Sequence, residues 1–365
     1  MSHLDRLARV RARLETLGLD ALLLSVGADL PWLTGYAAMP LERLTMLVLP
    51  AVGDATLVVP RLEAPRVVPG PEVFDLRPWD EAEDPVAVVA DLVGAHRHHV
   101  AVSDRTWATF VLQLQARLPS ATWAAASLVT GPLRAVKDPV ELLALRRASA
   151  AADRVATELV GGAIPVIGRT EAELSAELGR RLVEAGHQRV NFAIVGSGPN
   201  SASPHHEAGP RVIGRGEAVV CDFGGTLDGY CSDITRTVFT GPPPPEFRDL
   251  YAVLQEAQSA AVTAARVGTP CEDVDVVARR VIEAGGYGPH VLHRTGHGIG
   301  LEEHEDPYLA GGNCEALVAG HAFSVEPGIY VEGRWGARIE DIVVATAAGP
   351  DALNTVSHDL AVVEA

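Results

Sequence analysis

The chain of 365 residues is long enough to form two domains of ordinary size and to bury a core in each. Its apolar content of 47% with 21% charged residues is typical of a soluble globular protein, and its formal charge of −17 argues against nucleic acid or an anionic membrane as a partner. Because no run of about 18 consecutive apolar residues occurs, we expect no membrane span.

The start of the chain and its cysteines indicate where the protein works. Residues 4–17 predict an amphipathic surface helix, which lacks the continuous apolar core of an export signal. The cysteines, at positions 221, 231, 271 and 314, show no C-x-x-C spacing and predict buried thiols rather than a soft-metal site. A reducing compartment, the cytoplasm, is therefore expected.

Strands and helices alternate in the first third of the sequence, which predicts an α/β domain. Strands are predicted at residues 21–26, 44–49, 55–59 and 99–102, and a helix at residues 107–118. His96, His98 and His99 are interpreted as solvated side chains because their spacing does not suit a metal site. A domain boundary is predicted near residues 131–137.

The remaining sequence predicts an α+β domain with two similar halves. Asp138 and Thr170 are each followed three positions later by a glutamate, so each is predicted to cap a helix. Strands follow these two helices, and a second set of two helices begins near residues 246 and 272. This repetition differs from the pattern of a wound parallel sheet.

Two aspartates flank a pair of glycines in the middle of this second domain. Residues 216–221 predict a buried strand that ends on Asp222, and another strand begins at Asp233. Gly224 and Gly225 are expected to supply a bend between them. Two carboxylates brought together by neighbouring strands repel one another unless a cation lies between them. The alternative is that each aspartate only ends a strand or caps a turn.

Three histidines surround a run of glycines further along the chain. They are His293, His297 and His304. Glycine permits close backbone approach and unusual dihedral angles, which suits a loop that must aim an imidazole at a fixed point. A glycine-rich turn with incidental histidines is the alternative, although three histidines in one short segment count against it.

Two later strands are predicted to carry buried glutamates. Residues 322–326 predict a strand that ends on Glu326. Residues 337–344 predict a single buried strand with Arg338 and Glu340 on one face. A buried glutamate needs a partner, which either structural salt bridges or a pair of divalent ions could supply.

Taken together, these motifs resemble the pita-bread metallopeptidase family, which includes prolidase and aminopeptidase P. The likeness covers nearly the whole chain. It implies an α+β fold in which residues 138–365 form a pita-bread catalytic domain with pseudo-twofold αβ halves. A smaller α/β, creatinase-like N-terminal domain is implied for residues 1–134. Methionine aminopeptidase lacks that first domain and is disfavoured.

The family's set of metal ligands is matched at five positions. The resemblance implies two divalent ions, with Mn²⁺ favoured by the carboxylate-rich set and Co²⁺ or Zn²⁺ as alternatives. The matching residues are Asp222, Asp233, His297, Glu326 and Glu340.

Residues around the ligands match the family as well. The resemblance implies that Glu326 also accepts and passes on a proton, and that Arg338 orients a ligand aspartate. His293 and His304 would stabilise the charge that develops on the substrate. His205 would line the substrate pocket together with these two histidines.

The implied activity is the dinuclear-metal-dependent hydrolysis of the peptide bond that precedes proline in Xaa-Pro dipeptides, as in prolidase. Aminopeptidase P, which acts on longer Xaa-Pro peptides, is the alternative. A metal-free creatinase-like hydrolase or a non-catalytic binding module is more remote because all five ligands are present. The expected partners are a proline-containing dipeptide or short peptide and a second copy of the chain in a homodimer.

A strict dipeptidase must also bind the terminal carboxylate of its substrate, normally with an arginine. Many prolidases carry an arginine shortly after the His-Glu motif, where this sequence has Tyr308. Tyr308 and Arg43 are therefore the candidates for this part of the substrate site, Arg43 from a loop of the N-terminal domain of the partner subunit. The alternative is that Arg43 is a surface charge.

Overall fold

The computed structural model describes residues 1–68, 70 and 72–364, and the chain divides into two compact units, Met1–Arg134 and Ala135–Ala365. Each unit has its own sheets and its own apolar core. None of the helices within these described ranges has the length and apolar character needed to cross a bilayer.

The first unit has the α/β organisation that the sequence predicts. Its helices are α1 (His3–Leu17), α2 (Asp29–Thr34), α3 (Pro85–Val93), α4 (Ala108–Arg117) and α5 (Ser127–Ala135), the last of which ends one residue beyond the unit. Its strands are β1 (Ala21–Leu24), β2 (Met46–Pro50), β3 (Thr56–Pro60), β4 (Asp75–Trp79), β5 (His99–Val102) and β6 (Thr122–Ala125). They form one sheet in the order β4-β3-β2-β1-β5-β6, and Leu23, Val48 and Val100 belong to its core.

Strands β4 and β6 were not expected from the sequence. They form the two edges of the sheet, and most of their residues are only partly buried. Edge strands of this kind lack the apolar alternation by which a strand is recognised, so the sequence carries little signal for them.

The start of the predicted domain boundary is helical, because α5 continues to Ala135 with Pro132 inside it. A proline leaves the carbonyl group four residues earlier without its helical donor. That carbonyl belongs to Leu128, and the Nε of Arg13 donates to it over 3.3 Å. The hydrogen bond from another helix allows α5 to tolerate its proline.

The second unit is an α+β arrangement in which two helices precede each of two sheets. Its helices are α6 (Pro139–Val160), α7 (Glu171–Glu184), α8 (Pro245–Ala264) and α9 (Cys271–Ala284). Its strands are β7 (Arg189–Ser197), β8 (Ala218–Leu227), β9 (Tyr230–Cys231), β10 (Ile234–Thr240), β11 (Gly296–Gly298), β12 (Glu305–Leu309), β13 (Ala322–Val325), β14 (Gly328–Val331), β15 (Trp335–Arg338), β16 (Asp341–Thr346), β17 (Gly349–Ala352) and β18 (Ala361–Val363). One sheet has the order β18-β10-β8-β7 with β9 beside β8, the other has the order β12-β11-β13-β16-β17, and β14 pairs with β15.

The first two helices of this unit, α6 and α7, begin where their predicted caps place them. The Asp138 carboxylate accepts hydrogen bonds from the backbone of Val140 and Glu141, and the Glu141 carboxylate accepts one from the backbone of Asp138 in return. Thr170 caps α7 in the same way. Their apolar faces pack on the first sheet, in a core that includes Phe223.

Strand β8 does not end at Asp222 as predicted but continues over Gly224 and Gly225. A Cβ at position 224 would overlap the carbonyl oxygen of Ser232, and one at position 225 would lie 2.6 Å from the carbonyl oxygen of Arg189. These glycines therefore permit neighbouring backbones to approach closely within a strand, and they do not form a bend.

The residues predicted as one buried strand, 337–344, form two strands. Strand β15 ends at Arg338 and pairs with β14, whereas β16 begins at Asp341 and pairs with β13. Glu340 lies between β15 and β16, where the pairing partner changes from β14 to β13. It forms an isolated bridge with Thr235 of β10. This bridge brings a glutamate from the second half of the unit beside the first sheet.

Candidate active site

A cavity of roughly 480 Å³ in the second unit collects the polar residues of both halves, and its volume suits a small ligand. All five predicted metal ligands line it, together with the predicted histidines and Arg338. Its lining residues are Phe192, Ile194, Pro204, His205, Asp222, Asp233, His293, Arg294, His297, Glu303, His304, Glu326, Arg338 and Glu340.

Asp222 and Asp233 reach this cavity from the first sheet. Asp222 lies within β8, opposite Thr235 of β10, and Asp233 immediately precedes β10. Both residues are buried, yet Oδ1 of each makes no hydrogen bond within the described chain. Buried carboxylate oxygens without a donor are costly unless a cation is present.

His297, Glu326 and Glu340 reach the cavity from the second half. The Nε2 of His297 lies 3.3 Å from Oε1 of Glu326 and 3.9 Å from Oδ2 of Asp233. Asp233, His297 and Glu340 each offer a ligand atom, and these atoms lie within 4.8 Å of one another. Thr235 donates to Oε2 of Glu340 over 2.6 Å and holds that side chain in place.

Electrostatics makes this cluster unfavourable without a cation. Burial, followed by the carboxylates of Glu340 and Asp222, raises the pKa of Asp233 well above its usual range. Burial, followed by the carboxylates of Glu326 and Asp222, does the same to the pKa of Glu340. Burial, followed by the charge of His304, lowers the pKa of His297 to about 3, so its imidazole is neutral and able to bind a metal.

Hydrogen bonds select the orientation of His297. Its Nδ1 lies 3.1 Å from the carbonyl oxygen of Gly298, so this nitrogen carries the proton and donates. Nε2, the nitrogen that faces Asp233 and Glu326, is then left with its lone pair. This tautomer is the one that a metal ion requires.

Arg338 fixes Asp222. The guanidinium group is buried and donates to Oδ2 of Asp222 over 2.6 Å, to the Tyr330 hydroxyl over 2.8 Å and to the Thr235 hydroxyl over 3.0 Å. It also donates to the carbonyl oxygen of Pro204 over 3.3 Å, beside His205. One arginine thus ties a carboxylate to the loop that carries a substrate-side histidine.

His293 has both ring nitrogens engaged. Nδ1 lies 2.7 Å from the carbonyl oxygen of Arg294 and must donate to it, so Nε2 accepts from the Tyr330 hydroxyl over 2.8 Å. Burial, followed by the charge of Arg338, lowers the pKa of His293 to about 4. The His293 ring is therefore neutral, and its two hydrogen bonds fix its orientation at the cavity surface.

His304 stands edge-on to His297, with 4.0 Å between the ring centroids. Burial, followed by the charge of Arg294, lowers the pKa of His304, so this ring is also favoured in its neutral form. His205 completes the set of substrate-side histidines around the cavity.

The cavity does not include the two candidates for carboxylate binding, as far as the chain is described. Arg43 lies in the first unit, where its guanidinium pairs with Glu42 over 2.6 Å and with Glu81 over 2.9 Å. Tyr308 lies in β12, and the guanidinium carbon of Arg294 stands 4.3 Å from the centre of its ring. The role predicted for each stays a prediction.

Among the residues that hold the side chains of this site by hydrogen bonds or add charge to it, sequence reasoning missed Thr235, Arg294 and Tyr330. Arg294 could have been noticed, since it follows His293 in the histidine motif. Tyr330 and Thr235 carry no local signal. Their contacts with Arg338 arise from the pairing of β14 with β15 and from the proximity of β10, both of which depend on long-range topology.

Comparison with known families identifies the class of protein. Residues 144–347, more than half of the chain, match the Metallopeptidase family M24, and residues 6–136 match the Creatinase/Prolidase N-terminal domain. The fold and the carboxylate-rich cavity are those of a two-domain, pita-bread metallopeptidase. The chain belongs to metallopeptidase family M24. The predicted family, fold class and metallopeptidase nature are confirmed.

Several relatives are similar to this chain over nearly their whole length. The probable dipeptidase PepE of Mycobacterium tuberculosis is 44% identical over 98% of this chain and 96% of its own. The crystal structure of dipeptidase PepE from Mycobacterium ulcerans is 44% identical with a TM-score of 0.93, covering 100% of this chain and 98% of that chain. The crystal structure of an X-Pro aminopeptidase from Thermotoga maritima is 30% identical with a TM-score of 0.85, covering 98% and 99%.

A metallopeptidase family implies divalent metal ions, and the residues of this cavity fit them. Oδ1 of Asp222 and of Asp233, which accept no hydrogen bond from the described residues, and the lone pair on Nε2 of His297 are atoms that a divalent cation would bind. Four carboxylates and one imidazole form the kind of oxygen-rich donor set that hard divalent ions prefer.

Proposed function

We propose that this protein hydrolyses the peptide bond before proline in Xaa-Pro dipeptides, using two divalent ions held by the five predicted ligands. The observation that carries this proposal is the convergence of buried carboxylates on one cavity, two of which have an oxygen without a hydrogen-bond partner in the described chain. Mn²⁺ is favoured because carboxylates suit hard ions, and Co²⁺ and Zn²⁺ are alternatives. The ligands are Asp222, Asp233, His297, Glu326 and Glu340.

When bound, such ions supply Lewis acidity and lower the pKa of water. Glu326 is proposed to accept the proton from the attacking water and to pass it to the leaving nitrogen. Its side chain is 14% exposed, against 10% for Asp222 and 5% for Asp233, so it is the most accessible of these three carboxylates to substrate. Arg338 holds the Asp222 side chain in place through its hydrogen bond to Oδ2.

The three substrate-side histidines of the cavity are proposed to have different roles toward the substrate. His304 is proposed to donate to the oxygen that becomes negative as the carbonyl is attacked. His205 and His293 are proposed to form the wall against which the substrate lies. The prediction that His293 also stabilises the developing charge would require its hydrogen bond with Tyr330 to open.

Prolidase activity is favoured by the relatives that are 44% identical and are named dipeptidase. Aminopeptidase P activity is the second candidate, supported by the X-Pro aminopeptidase at 30% identity and by the tyrosine at position 308. A metal-free creatinase-like hydrolase and a non-catalytic binding module are more remote, since all five ligand side chains face the cavity.

Further parts of the proposal rest on the sequence alone. We infer a creatinase-like N-terminal domain in residues 1–134 and a catalytic domain in residues 138–365. A cytoplasmic homodimer remains the predicted state, and binding of the substrate carboxylate by Arg43 of the partner subunit remains a prediction.

The proposal is tested with purified protein that has been stripped of metal and reloaded with Mn²⁺, Co²⁺ or Zn²⁺ in turn. We expect metal-dependent cleavage of Ala-Pro, with Ala-Pro-Ala cleaved far more slowly and Ala-Ala not at all. A preference for the tripeptide would favour the aminopeptidase P alternative. Turnover that survives chelation would support a creatinase-like reaction, and no turnover with any metal would support a binding module.

A further inference from the structure

Among the described residues, the Arg294 guanidinium of the cavity has no anionic partner. Arg294 and Arg338 are the arginines among the described lining residues. Arg338 forms an ion pair with Asp222. The Arg294 guanidinium, by contrast, makes no hydrogen bond or ion pair with the described chain. An unpaired guanidinium at a ligand cavity is available for an anion from outside.

The structure shows what holds this guanidinium. Its carbon stands 4.3 Å from the centre of the Tyr308 ring, within the distance of a cation–π contact. The two residues meet because β11 pairs with β12, with Gly296 opposite Leu309 and the backbone of Thr295 donating to the carbonyl oxygen of Leu309. Stacking orients the plane of the guanidinium and leaves its N–H edges free.

Tyr308 is itself anchored. It lies in β12, and its backbone carbonyl accepts a hydrogen bond from the side chain of Asn313 over 2.7 Å. The tyrosine at this position therefore supports an arginine from the segment that leads into β11. Tyr308 stands where many prolidases carry an arginine, and its ring contacts the guanidinium of Arg294, which supplies a positive charge beside that position.

The surroundings of Arg294 make it the natural place for a carboxylate. Other charged residues of the cavity are acidic, among them Glu303 and Glu326, or committed, as Arg338 is. The charge of Arg294 is close enough to act on both His304 and Glu326. Arg43, by contrast, already pairs with Glu42 and Glu81.

We propose that Arg294, supported by the ring of Tyr308, binds the C-terminal carboxylate of the substrate and so restricts the enzyme to dipeptides. This inference rests on the proposed function, because it concerns the residue that follows the scissile bond. A free carboxylate one residue beyond that bond can accept two parallel N–H donors from a guanidinium, whereas the amide of a longer peptide cannot.

The test compares kcat/KM for Ala-Pro with that for Ala-prolinamide, which lacks the carboxylate charge, in metal-loaded enzyme. The wild type is expected to prefer Ala-Pro strongly. In Arg294→Gln the ratio of the two kcat/KM values should fall by about 10- to 100-fold, the range for a lost hydrogen-bonded charge pair. Arg294→Lys, which keeps the charge without the paired donors, should give an intermediate ratio.

A matched control is available in Arg334, which stacks on Trp335 at 4.0 Å and pairs with Glu246 but does not line the cavity. Arg334→Gln should leave the ratio at its wild-type value. A second readout is calorimetric binding of L-proline, which should weaken in Arg294→Gln relative to binding of L-prolinamide. This measurement requires no turnover, and unchanged binding of L-prolinamide shows that the variant is folded.

The possible outcomes distinguish a failure of the proposed function from a failure of the role proposed for Arg294. A wild type that cleaves neither substrate with any metal contradicts the proposed function. A wild type that cleaves Ala-Pro, but whose preference for the free carboxylate is unchanged in Arg294→Gln, overturns the role of Arg294 alone. A loss of preference in Arg43→Gln with no change in Arg294→Gln would overturn it in favour of the N-terminal domain.

Discussion

The ammonium group of Lys137 is buried against the carboxylate of Glu305, the residue that follows His304. Lys137 is the sole lysine of the sequence, and all the other residues counted in its Lys and Arg total are arginines. The small space around the side chain explains why a lysine, and not an arginine, stands at this position. A Cβ at Gly300 would lie 3.0 Å from Cε of Lys137 and would overlap the Glu305 carboxylate, so little room remains for the larger guanidinium.

Removing this ammonium should destabilise the protein strongly. Lys137→Met leaves the Glu305 carboxylate buried without that charge, and we expect a loss of about 3 to 5 kcal/mol in the free energy of unfolding. Adding Glu305→Gln to the same chain should restore part of the loss. Urea unfolding measures both.

An exposed ion pair provides the control. Arg146 and Asp351 pair with side chains that are 48% and 38% exposed, and Arg146→Met should change the free energy of unfolding by no more than about 1 kcal/mol. Equal effects of the two substitutions would show that burial does not set the strength of the Lys137 pair.

Removing one carboxylate from the cavity should stabilise the metal-free protein. Burial and then the carboxylates of Glu340 and Asp222 raise the pKa of Asp233, so this group opposes folding increasingly as the pH rises above the normal value near 3.8. In Asp233→Asn, the chelated protein should be more stable than the chelated wild type at pH 7.5 by about 1 to 3 kcal/mol.

The same substitution should abolish the stabilisation that metal provides. Adding Mn²⁺ should raise the melting temperature of the wild type but not that of Asp233→Asn, and metal analysis should find less bound manganese in the variant. Asp249→Asn, on the exposed side of α8, is the control and should match the wild type. A full complement of Mn²⁺ bound to Asp233→Asn would contradict the ligand assignment.

Acid should destabilise the protein through His321. Burial, followed by the charge of Lys137, lowers the pKa of this histidine from 6.5 to about 4. Between these values the unfolded chain binds more protons than the folded chain, so the free energy of unfolding falls as the pH drops through this window, by up to about 1.4 kcal/mol per pH unit from this group.

The variant His321→Asn isolates this contribution. Asparagine retains an acceptor for the backbone N–H of Val318, which lies 3.4 Å from Nδ1 of the histidine. Between pH 7 and pH 5 the variant should lose less stability than the wild type, by about 1 to 2 kcal/mol. His98→Asn, at an exposed position, should follow the wild-type curve. Parallel curves for all three proteins would remove His321 as a source of the acid sensitivity.

Gly224 should tolerate no side chain. A Cβ there would overlap the carbonyl oxygen of Ser232, which belongs to the backbone and cannot rotate away. Gly224→Ala should therefore cost about 3 kcal/mol or more of stability and displace Asp222, two residues earlier. Gly311→Ala, where a Cβ would meet no atom within 4 Å, should be nearly neutral. Thermal unfolding of the two variants gives the comparison.

The sequence predicted which residues meet at the cavity better than it predicted the strands that carry them. Asp222 and Glu326 stand out because each follows an apolar run, and Asp233 because it begins a strand-like run, and these are local signals. The extent of β8 was predicted wrongly because glycine favours both bends and close strand packing, and only the neighbouring backbones distinguish the two.

Contacts between strands that are far apart in the sequence explain the other features that were not predicted. The segment from 337 to 344 reads as one strand because apolar residues recur along its whole length, although its pairing partner changes from β14 to β13 around Glu340. Tyr330 and Arg294 acquire their importance from strand pairing, which sequence periodicity does not specify.

The division of the proposed ligands between the two halves of the second unit has a thermodynamic consequence. Asp222 and Asp233 precede the link from β10 to α8, whereas His297, Glu326 and Glu340 follow it. If the backbone were cut at that link, neither fragment alone would hold a full coordination sphere. Reassociation of the fragments would then be coupled to metal concentration, so a chelator would act on the affinity between two pieces of one polypeptide.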